Sequence, residues 1–565
     1  MRKKGVTYLE EKRFNLLYEP WIKVLLPDLS EREVSLLELF ENAHLYRSLS
    51  GETETQNAAI LRLFLAITTT IIYRYDAEGN EDHITYDSDA DEVIERWHEF
   101  WKLGQFPYDL YKKYLTKYEN RFWLFHPEYP FYQNANLKYG TDYDLKNLYG
   151  DIKESNNHAT AHLFSVHENL DEISYDEAAR WLIWYQNYCV SAKKQQKDPD
   201  MPSDIKSDVG ILAKLGFIYF NGKNLFETIM LNTVLLNGNE PFVDQPRPIW
   251  EKEPDNRQFV RIAPLNLPEY YTMQPRRFLF KEKDGLIISF YASIGETIDL
   301  SSDPIEPMTI WNEPPKNNLK IDAIAPKQHD LSQKMWQEFP VLFFSSLNIE
   351  NNQRIPGIIL WANTLEDNYP EDIAAQCNIT AIGQTFTDKE RFVYEEPYYD
   401  RLSMTFSLLN TYNQEWLDII QDQVSKCKKI SNLLTDCGKD ISDFFNMQQN
   451  TIGDILKRNY FYHINTYFLK WLSDIDPATS DKIEESLKWE AQSSKTAKET
   501  LNNYFLTIPA HDLFQCKTIK KNKKEEKYAL PNILNKYSNR IVYNIYKSQY
   551  PIFRKNTQGG DSINE

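Results

Sequence analysis

The sequence of 565 residues has little glycine and lacks the signatures of several common enzyme classes. Its 18 glycines form no G-x-x-x-x-G-K-[ST] phosphate loop, no G-x-G-x-x-G dinucleotide fingerprint and no G-x-S-x-G nucleophile turn. The metalloprotease pattern H-E-x-x-H is also missing. We therefore expect no ATPase, dinucleotide enzyme or serine hydrolase, and none of the cofactors of these enzymes.

The sequence also lacks paired cysteines and long apolar runs. No C-x-x-C pair occurs among its five cysteines, which we expect to be reduced and buried: Cys189, Cys377, Cys427, Cys437 and Cys516. The most apolar stretch, 58–72, is interrupted by Arg62 and is shorter than the roughly 20 apolar residues of a membrane span. The charged start MRKK leads into no apolar segment. These features predict a soluble, cytoplasmic protein without a membrane partner.

The chain also has fewer basic than acidic residues, which gives a net charge of −18. A protein that coats nucleic acid over its whole surface usually carries a basic excess, so that class is excluded, whereas a local basic site is not. Lysines cluster at 193–197, 426–429 and 517–527. A solvated face is the default interpretation of each cluster. The third is the hardest to explain by solubility, since the rest of the chain is already highly charged.

The residues that are present indicate a globular protein of two or three units, with 42% hydrophobic and 14% aromatic residues. Three capping boxes predict helix starts, at Ser30-x-x-Glu33, Ser174-x-x-Glu177 and Asn224-x-x-Glu227. Short β-like runs follow between 259 and 311. The segments 339–349 and 355–361 read as further strands or buried segments.

From about Tyr399 the strand signals vanish and four long helical patterns follow, at about 402–447, 451–473, 478–506 and 528–550. Short connections between such helices favour an antiparallel bundle. The predicted fold class is α+β. A large mixed α/β domain (1–395) precedes an all-α four-helix bundle (396–565), in which the lysine-rich residues 517–527 connect two helices.

Two patterns imitate metal sites. His158 and His162 are spaced i, i+4, with His167 nearby, and would share a face if the segment were helical. No carboxylate occupies the H-E-x-x-H position, and Asn157 and Phe164 suit a loop anchored by one aromatic side chain. The loop interpretation is therefore preferred.

The second imitation is of a calcium loop that begins at Asp87, Asp89 and Asp91. Its sixth position is Glu92 instead of glycine and its twelfth is His98 instead of glutamate. Acidic residues at a helix N-terminus explain the pattern better, so no metal is predicted.

Seven motifs in a fixed order make the chain resemble a known family. They are FNLLYEPWIKV (14–24), YPFYQ (129–133), NNHATAHLF (156–164), GKNLFETIMLNTV (222–234), MQPRRFLF (273–280), EPMTIW (306–311) and IGQTFTDKERFVYEEPYYDRL (382–402). Together they resemble the large subunit of the type I-E CRISPR surveillance complex, Cascade. Each motif is weak by itself, and the order and spacing make the set specific.

The resemblance implies a non-catalytic subunit that recognises the protospacer-adjacent motif (PAM) in double-stranded DNA, mainly from the minor groove, and wedges the strands apart. The implied partners are CRISPR RNA, the backbone, small and crRNA 5′-end subunits of Cascade, and a helicase-nuclease effector. The guide then reads the sequence by base pairing. The alternative is a scaffold that holds guide RNA and partner subunits without reading DNA; a cryptic nuclease lacks a convincing metal-carboxylate set.

Residue roles implied by the resemblance fall into four groups. The segment that docks on the complex and the crRNA end corresponds roughly to Ser165–Asp176, following HATAHLF, and the residues assigned to it are Asn157, His158, His162, Phe164 and His167. The PAM-facing loop falls at SAKKQQKD, where relatives carry glycine, which makes side-chain contacts the candidates: Lys193, Lys194, Gln195, Gln196 and Lys197. The strand-separating wedge aligns with Thr387, Asp388 and Lys389. The bundle connector offers Lys520, Lys521, Lys523 and Lys524 to the DNA backbone.

The family's minor-groove lysine aligns near Ile288–Ser289, where no lysine is present. Lys281, Lys283, Arg276 and Arg277 are the open alternatives. Strand alternation predicts that Arg276 and Arg277 lie on opposite faces, so that one of them reaches DNA or forms a cross-strand ion pair.

Overall fold

A computed structural model describes residues 11–150, 154–155, 158–159, 171–190, 209–238, 240–242, 246–253, 261–262, 264, 266–298, 306–312, 325–343, 353–373, 375–386, 394–521 and 524–546. The chain divides into two compact units. The N-terminal unit comprises Met1–Gln333 and Ser345–Arg401, and the C-terminal unit comprises Lys334–Phe344 and Leu402–Glu565. The division near residue 401 lies close to the predicted boundary, but the sequence analysis did not foresee that 334–344 belongs to the C-terminal unit.

The helices of the described chain are α1 (Leu36–Asn42), α2 (Glu54–Ile72), α3 (Ala90–Lys102), α4 (Tyr108–Lys117), α5 (Tyr175–Tyr188), α6 (Leu225–Leu231), α7 (Leu267–Tyr271), α8 (Phe339–Phe343), α9 (Gly357–Asn368), α10 (Gln414–Phe444), α11 (Thr451–Asp474), α12 (Lys482–Leu506), α13 (Ala510–Leu513) and α14 (Leu530–Tyr546). Short 3-10 turns lie between several of them, among them Leu212–Lys214.

The strands are β1 (Arg13–Asn15), β2 (Ile22–Leu25), β3 (Glu31–Val34), β4 (Ser48–Leu49), β5 (Trp123–Phe125), β6 (Thr141–Asp144), β7 (Glu154–Ser155), β8 (His158–Ala159), β9 (Phe217–Asn221), β10 (Leu236–Asn237), β11 (Glu240–Pro241), β12 (Arg261–Ile262), β13 (Arg276–Lys283), β14 (Leu286–Ile294), β15 (Thr297–Ile298), β16 (Trp311–Asn312), β17 (Ala325–Pro326), β18 (Gln353–Arg354), β19 (Gln376–Phe386), β20 (Tyr394–Thr405), β21 (Cys516–Lys521) and β22 (Lys524–Ala529). They form small sheets; the three-stranded ones have the orders β3-β2-β4, β13-β14-β6, β17-β16-β18 and β20-β19-β9.

Helix α2 is the centre of the N-terminal core. It begins at Thr53, whose hydroxyl accepts a hydrogen bond from the Gln56 amide, and its later residues are buried on every side. By length and composition alone α2 could cross a membrane, but 94% of its apolar window is buried inside the protein. It is therefore a core helix of this unit.

The first capping box was predicted one segment too early. Residues 31–34 form β3, which pairs with β2 in an antiparallel hairpin, so Ser30 lies in a turn and not at a helix start. Helix α1 begins after Ser35, whose hydroxyl accepts a hydrogen bond from the Glu38 amide. At α6 the predicted cap is present, since the Asn224 side chain accepts from the Glu227 amide at 2.9 Å. Of the two interpretations left open for 339–349 and 355–361, the described residues 339–343 and 357–361 form largely buried helices, in α8 and the start of α9, and not strands; residues 344–349 lie outside the described residues.

The C-terminal unit confirms the predicted helical bundle. Along α10 buried residues recur three or four positions apart: Ile420, Val424, Cys427, Ile430, Leu434, Cys437 and Ile441. This spacing places them on one helix face, and α10 packs against α11, α12 and α14. The helix begins at Gln414 instead of about 402, because residues 402–405 complete β20.

The bundle connector is a correction to the all-α prediction. Residues 516–529, expected as a loop, form the antiparallel hairpin β21–β22. Its register places Lys520 opposite Glu525 and Lys521 opposite Lys524. Lysine-rich strands are uncommon because the alternation of apolar residues that marks a strand is missing. The predicted fold class, mixed α and β followed by a helical bundle, is otherwise confirmed.

Candidate nucleic-acid interface

Helix α5 connects two of the segments assigned by the sequence analysis. The docking segment precedes it, and the lysine-rich loop, defined here as residues 191–208, follows it. With 14 residues, α5 is about 21 Å long at a rise of about 1.5 Å per residue. The two segments are therefore connected to opposite ends of one helix.

A buried arginine fixes the middle of α5. The guanidinium of Arg180 donates to both carboxylate oxygens of Glu52, to Glu33 and to the carbonyl of Trp21. Burial alone would raise the pKa of Glu52, but the charge and hydrogen bonds of Arg180 and of Lys23 outweigh burial and lower the pKa to about 2. Glu52 is thus an anion at neutral pH that holds α5 against β2.

A second polar cluster lies at the C-terminal end of α5. The side-chain amide of Gln186 donates to the carbonyl of Arg276 at 2.9 Å and accepts from its backbone N–H at 3.1 Å. The guanidinium of Arg276 donates to the carbonyls of Pro275 and Val190, both at 2.8 Å. Val190 is the last described residue before the lysine-rich loop. The cluster therefore ties the start of this loop to the start of β13.

The described residues on either side of the lysine-rich loop are close together. The Gly210 amide donates to the carbonyl of Cys189 at 2.8 Å, which closes the loop at its base. A side chain at position 210 would collide with the backbone of Asn187, since a Cβ there would lie 2.3 Å from its carbonyl oxygen. Glycine is thus required at the base of the loop, although the loop itself has none.

The chain that leaves the loop leads directly to the hairpin assigned as the wedge. The 3-10 turn Leu212–Lys214 packs against β19, and β9 then pairs with β19 with Phe217 opposite Ile382. β19 continues to Phe386, and β20 lies next to it in the sheet. Because seven residues are too few for a parallel crossover, 387–393 connect the arms of an antiparallel hairpin. Thr387, Asp388 and Lys389 lie outside the described residues.

The remaining basic candidates are divided between two places. Arg276 and Arg277 lie on opposite faces of β13, as predicted. Arg276 is 1% exposed and bonded to backbone carbonyls, so the expectation that it reaches DNA is corrected. Arg277 is half-buried on the other face. It remains the candidate of the two for DNA contact.

The tip of the β13–β14 hairpin lies at the other end of α5. An isolated bridge joins Ile173 to Ile287 beside this tip. Lys281 is held by an ion pair with Asp142 and lies over the Tyr291 ring at 4.1 Å. Lys283 is exposed next to the turn at Asp284–Gly285, where both residues have positive φ. Among the four alternatives for a minor-groove cation, Lys283 is the most exposed, yet it is seven strand residues, or about 23 Å, from Arg276.

Most other predicted site residues lie outside the described residues: Lys193, Lys194, Gln195, Gln196, Lys197, Asn157, His162, Phe164, His167 and Lys523. His158 lies in strand β8, which pairs with β7. His158 is therefore not in a helix, as a metal pair with His162 at i, i+4 would require. Lys520, Lys521 and Lys524 are strand residues. Sequence reasoning missed Arg180 and Gln186.

Among the residues that the structure describes, no group of three or more His, Cys, Asp or Glu side chains could hold a metal ion. Asp89 caps α3 by accepting a hydrogen bond from the Asp91 amide, as the helix interpretation requires. His98 pairs with Asp372 at 2.6 Å and stacks on Tyr369. The acidic run 87–91 therefore starts a helix.

Several family motifs turn out to hold the fold together. Glu306 of EPMTIW accepts from Arg62 at 2.6 Å, and both side chains are completely buried. Gln133 of YPFYQ donates to the carbonyl of Leu124 and accepts from the Phe280 amide. Asn232, within GKNLFETIMLNTV, bonds both the amide and the carbonyl of Phe220. These motifs join elements that are distant in sequence.

The model of the CRISPR-associated protein Cse1 family matches residues 15–504. The chain belongs to the Cse1 family. The recognition drawn from the seven motifs is thereby confirmed. A curated relative, the CRISPR-associated protein CasA/Cse1 of Thermus thermophilus, is 26% identical over 338 residues, which are 59% of this chain. The chain spans 60% of the length of that curated relative.

Solved structures support the fold of this Cse1-family chain. Thermobifida fusca Cse1 is 23% identical with a TM-score of 0.76, and the match covers 95% of this chain and 98% of that one. Cse1 of Acidimicrobium ferrooxidans is 19% identical with a TM-score of 0.74, over 96% and 100% of the two chains. A chain from a structure described as a CRISPR RNA-guided surveillance complex is 13% identical with a TM-score of 0.68, over 94% and 99%.

Proposed function

We propose that this chain is the non-catalytic large subunit of a type I-E-like RNA-guided surveillance complex. In this function it recognises the PAM in double-stranded DNA, helps to open the duplex for guide pairing, and recruits a helicase-nuclease effector. Membership of the Cse1 family supports the assignment, as does the similarity to a chain from an RNA-guided surveillance complex. The partners are CRISPR RNA and the backbone, small and crRNA 5′-end subunits.

One observation favours DNA reading over a scaffold role alone. The lysine-rich loop closes on the end of α5, and the chain leaving it packs on β19, the strand that leads into 387–389. A cationic loop and a hairpin connector that leave neighbouring elements suit a surface that grips a duplex and inserts between its strands. Opening costs about 0.6–2.2 kcal/mol per base-pair step, so a small insertion can bias the first step.

Charge distribution supports the same surface. With a net charge of −18, most of the chain repels a polyanion, which leaves the lysine clusters as the places where DNA can approach. Lys193, Lys194 and Lys197 would contact phosphates. Gln195 and Gln196 of the same loop, and Arg277 of β13, would bond base edges. The lysines of β21–β22 would add contacts to the DNA backbone, and the docking segment would bind the complex at the far end of α5.

The test is a PAM-library binding assay on the assembled complex. Replacing Lys193, Lys194 and Lys389 together by alanine should abolish discrimination between duplexes with and without the PAM, while the complex still assembles. The matched control removes the same charge from three exposed helix lysines, Lys102, Lys112 and Lys117. It should leave discrimination unchanged.

Unchanged discrimination in the loop and wedge variant would overturn DNA reading by these residues and favour the scaffold function. Salt dependence provides a second measurement. Removing one phosphate contact should reduce the slope of log K against log salt by about 0.9. A complex lacking this chain that still bound PAM-bearing duplex as tightly would contradict the proposal as a whole.

A further inference from the structure

A buried guanidinium lies at the point where α5 ends. Arg276 is 1% exposed, and its Nη2 reaches the carbonyl of Val190. Val190 lies two residues past Tyr188, the last residue of α5, so the bond holds the chain just after the helix ends. Arg276 makes this bond from a strand 86 residues away in sequence.

Gln186 makes the same junction rigid from the helix side. Its amide donates to the carbonyl of Tyr132 at 3.3 Å as well as to that of Arg276, and Gln186 is 1% exposed. Together, Arg276 and Gln186 fix the backbone of α5, of β13 and of the YPFYQ motif at one point. Buried amides and guanidinium groups bonded in this way have one low-energy arrangement.

We propose that Arg276 is a positioning residue for the lysine-rich loop. It does not touch DNA; it holds Val190 and so sets the place and direction from which the loop starts. Lys193 is three residues further on, and covalent geometry keeps its Cα within about 11 Å of that anchor. Fixing the start of the loop reduces the conformational entropy that is lost when its lysines bind phosphate. This inference rests on the proposed function of the loop.

Four changes in the full chain, within the assembled complex, test the inference. Arg276→Met removes the donors but keeps the length of the side chain, and Arg276→Lys retains one charged donor. Lys193→Ala/Lys194→Ala removes the loop charges, and the triple variant combines these alanines with Arg276→Met. Arg74→Met is the control, because Arg74 also donates to a backbone carbonyl, that of Pro246, and in addition pairs with Glu251.

Binding of PAM-bearing duplex is measured for each complex over a range of salt concentrations. If Arg276 acts through the loop, Arg276→Met weakens binding and lowers the salt slope towards the value of the double alanine variant, a reduction of up to about 1.8 for two contacts. The triple variant then binds no more weakly than the double variant. Arg276→Lys recovers part of the loss, and Arg74→Met keeps the wild-type slope.

Additive losses in the triple variant, or an unchanged salt slope in Arg276→Met, would overturn the inference. If Arg276→Met does not fold, Arg276→Lys is judged by the same two criteria. Trypsin cleavage of the full chain after Lys193 and Lys194 separates the inference from the proposed function. Faster cleavage in the Arg276 variants supports anchoring, and unchanged cleavage contradicts it. Normal DNA binding by the double alanine variant would refute the proposed function of the loop, but it would leave the anchoring by Arg276 intact.

Discussion

The two units of the chain are stabilised by different kinds of buried interaction. In the N-terminal unit, charged side chains cross the core between segments that are distant in sequence. Arg62 and Glu306 are 244 residues apart, and Arg180 and Glu52 are 128 apart. Arg276 bonds the carbonyl of Val190, just after α5, in the same unit. These contacts join small sheets and helices that share no continuous apolar stripe.

In the C-terminal unit the buried seam is mainly apolar and follows the helix period. Some of its polar contacts link packed helices, as Tyr460 of α11 does with Ser493 of α12 at 2.8 Å. One ion pair of the bundle, Lys426 with Glu490, is as buried as that of Arg180 with Glu52, since its side chains are 13% and 2% exposed. In the bundle most of the buried residues thus follow the helix period, whereas in the N-terminal unit long-range polar pairs join elements that share no such period.

The strongest test of this difference breaks the Arg62–Glu306 pair. Glu306→Gln leaves the Arg62 guanidinium charged and buried among Tyr270 and Tyr271. We expect a loss of about 3–5 kcal/mol in the free energy of unfolding of the N-terminal unit. Urea denaturation gives the size of the loss, and hydrogen exchange in α2 gives its location.

Two further variants control that experiment. Replacing both partners by methionine should cost less than Glu306→Gln alone, since no unpaired charge remains. Lys488→Met, which breaks an exposed pair with Glu484 on α12, should change nothing measurable. A Glu306→Gln protein as stable as the wild type would show that the buried pair does not hold this unit together.

A pH titration tests the second buried pair. The pKa of Glu52 is about 2 in the folded chain against an ordinary value of 4.5. A lowered pKa means that the stabilisation is complete above about pH 4.5 and disappears as the pH falls towards 2. The difference corresponds to roughly 3 kcal/mol. Because pH 3 still lies above the folded pKa, the wild type should lose roughly 2 kcal/mol of it between pH 6 and pH 3, measured by denaturation at both values.

Glu52→Gln isolates that contribution. At pH 6 it should be less stable than the wild type, and the gap should narrow as the pH is lowered, because the carboxylate that it lacks is being protonated in the wild type. Glu41→Gln, at an exposed carboxylate on α1, serves as the control. A constant gap from pH 6 to pH 3 would mean that Glu52 stabilises the unit by packing and not by charge.

The same contrast explains how much the sequence could predict. The bundle helices were found because their signal, apolar residues three or four apart, is local. The partners that tie Arg180 and Gln186 to other elements could not be found, since Glu52 is 128 residues from Arg180 and Arg276 is 90 residues from Gln186. A weaker signal was present: a lone arginine in an apolar helix, as in AARWLIW or AAILRLFLAI, has to be paired when buried.

The candidate interface was predictable only as a set of segments. Resemblance located the lysine-rich loop and the wedge, and alternation placed Arg276 and Arg277 on opposite faces of a strand. Which of the two is buried depends on the packing of α5 against β13 and β14, which no local pattern encodes. The hairpin β21–β22 was missed for the opposite reason, because its lysine-rich strands lack the apolar alternation of a half-buried sheet.

The smallest loss of stability is expected at a helix cap of the bundle, which is a local interaction. Asp481 caps α12 by accepting hydrogen bonds from the amides of Ile483 and Glu484, at 3.0 and 2.8 Å. Asp481→Ala removes that cap, at a cost of about 1 kcal/mol. Hydrogen exchange in the first turn of α12 should become roughly fivefold faster, whereas Asp481→Asn, which retains an acceptor, should stay near the wild type. Exchange that is unchanged in the alanine variant would mean that packing against α10 and α11 alone decides where α12 begins, and the bundle would then depend on tertiary contacts as much as the N-terminal unit does.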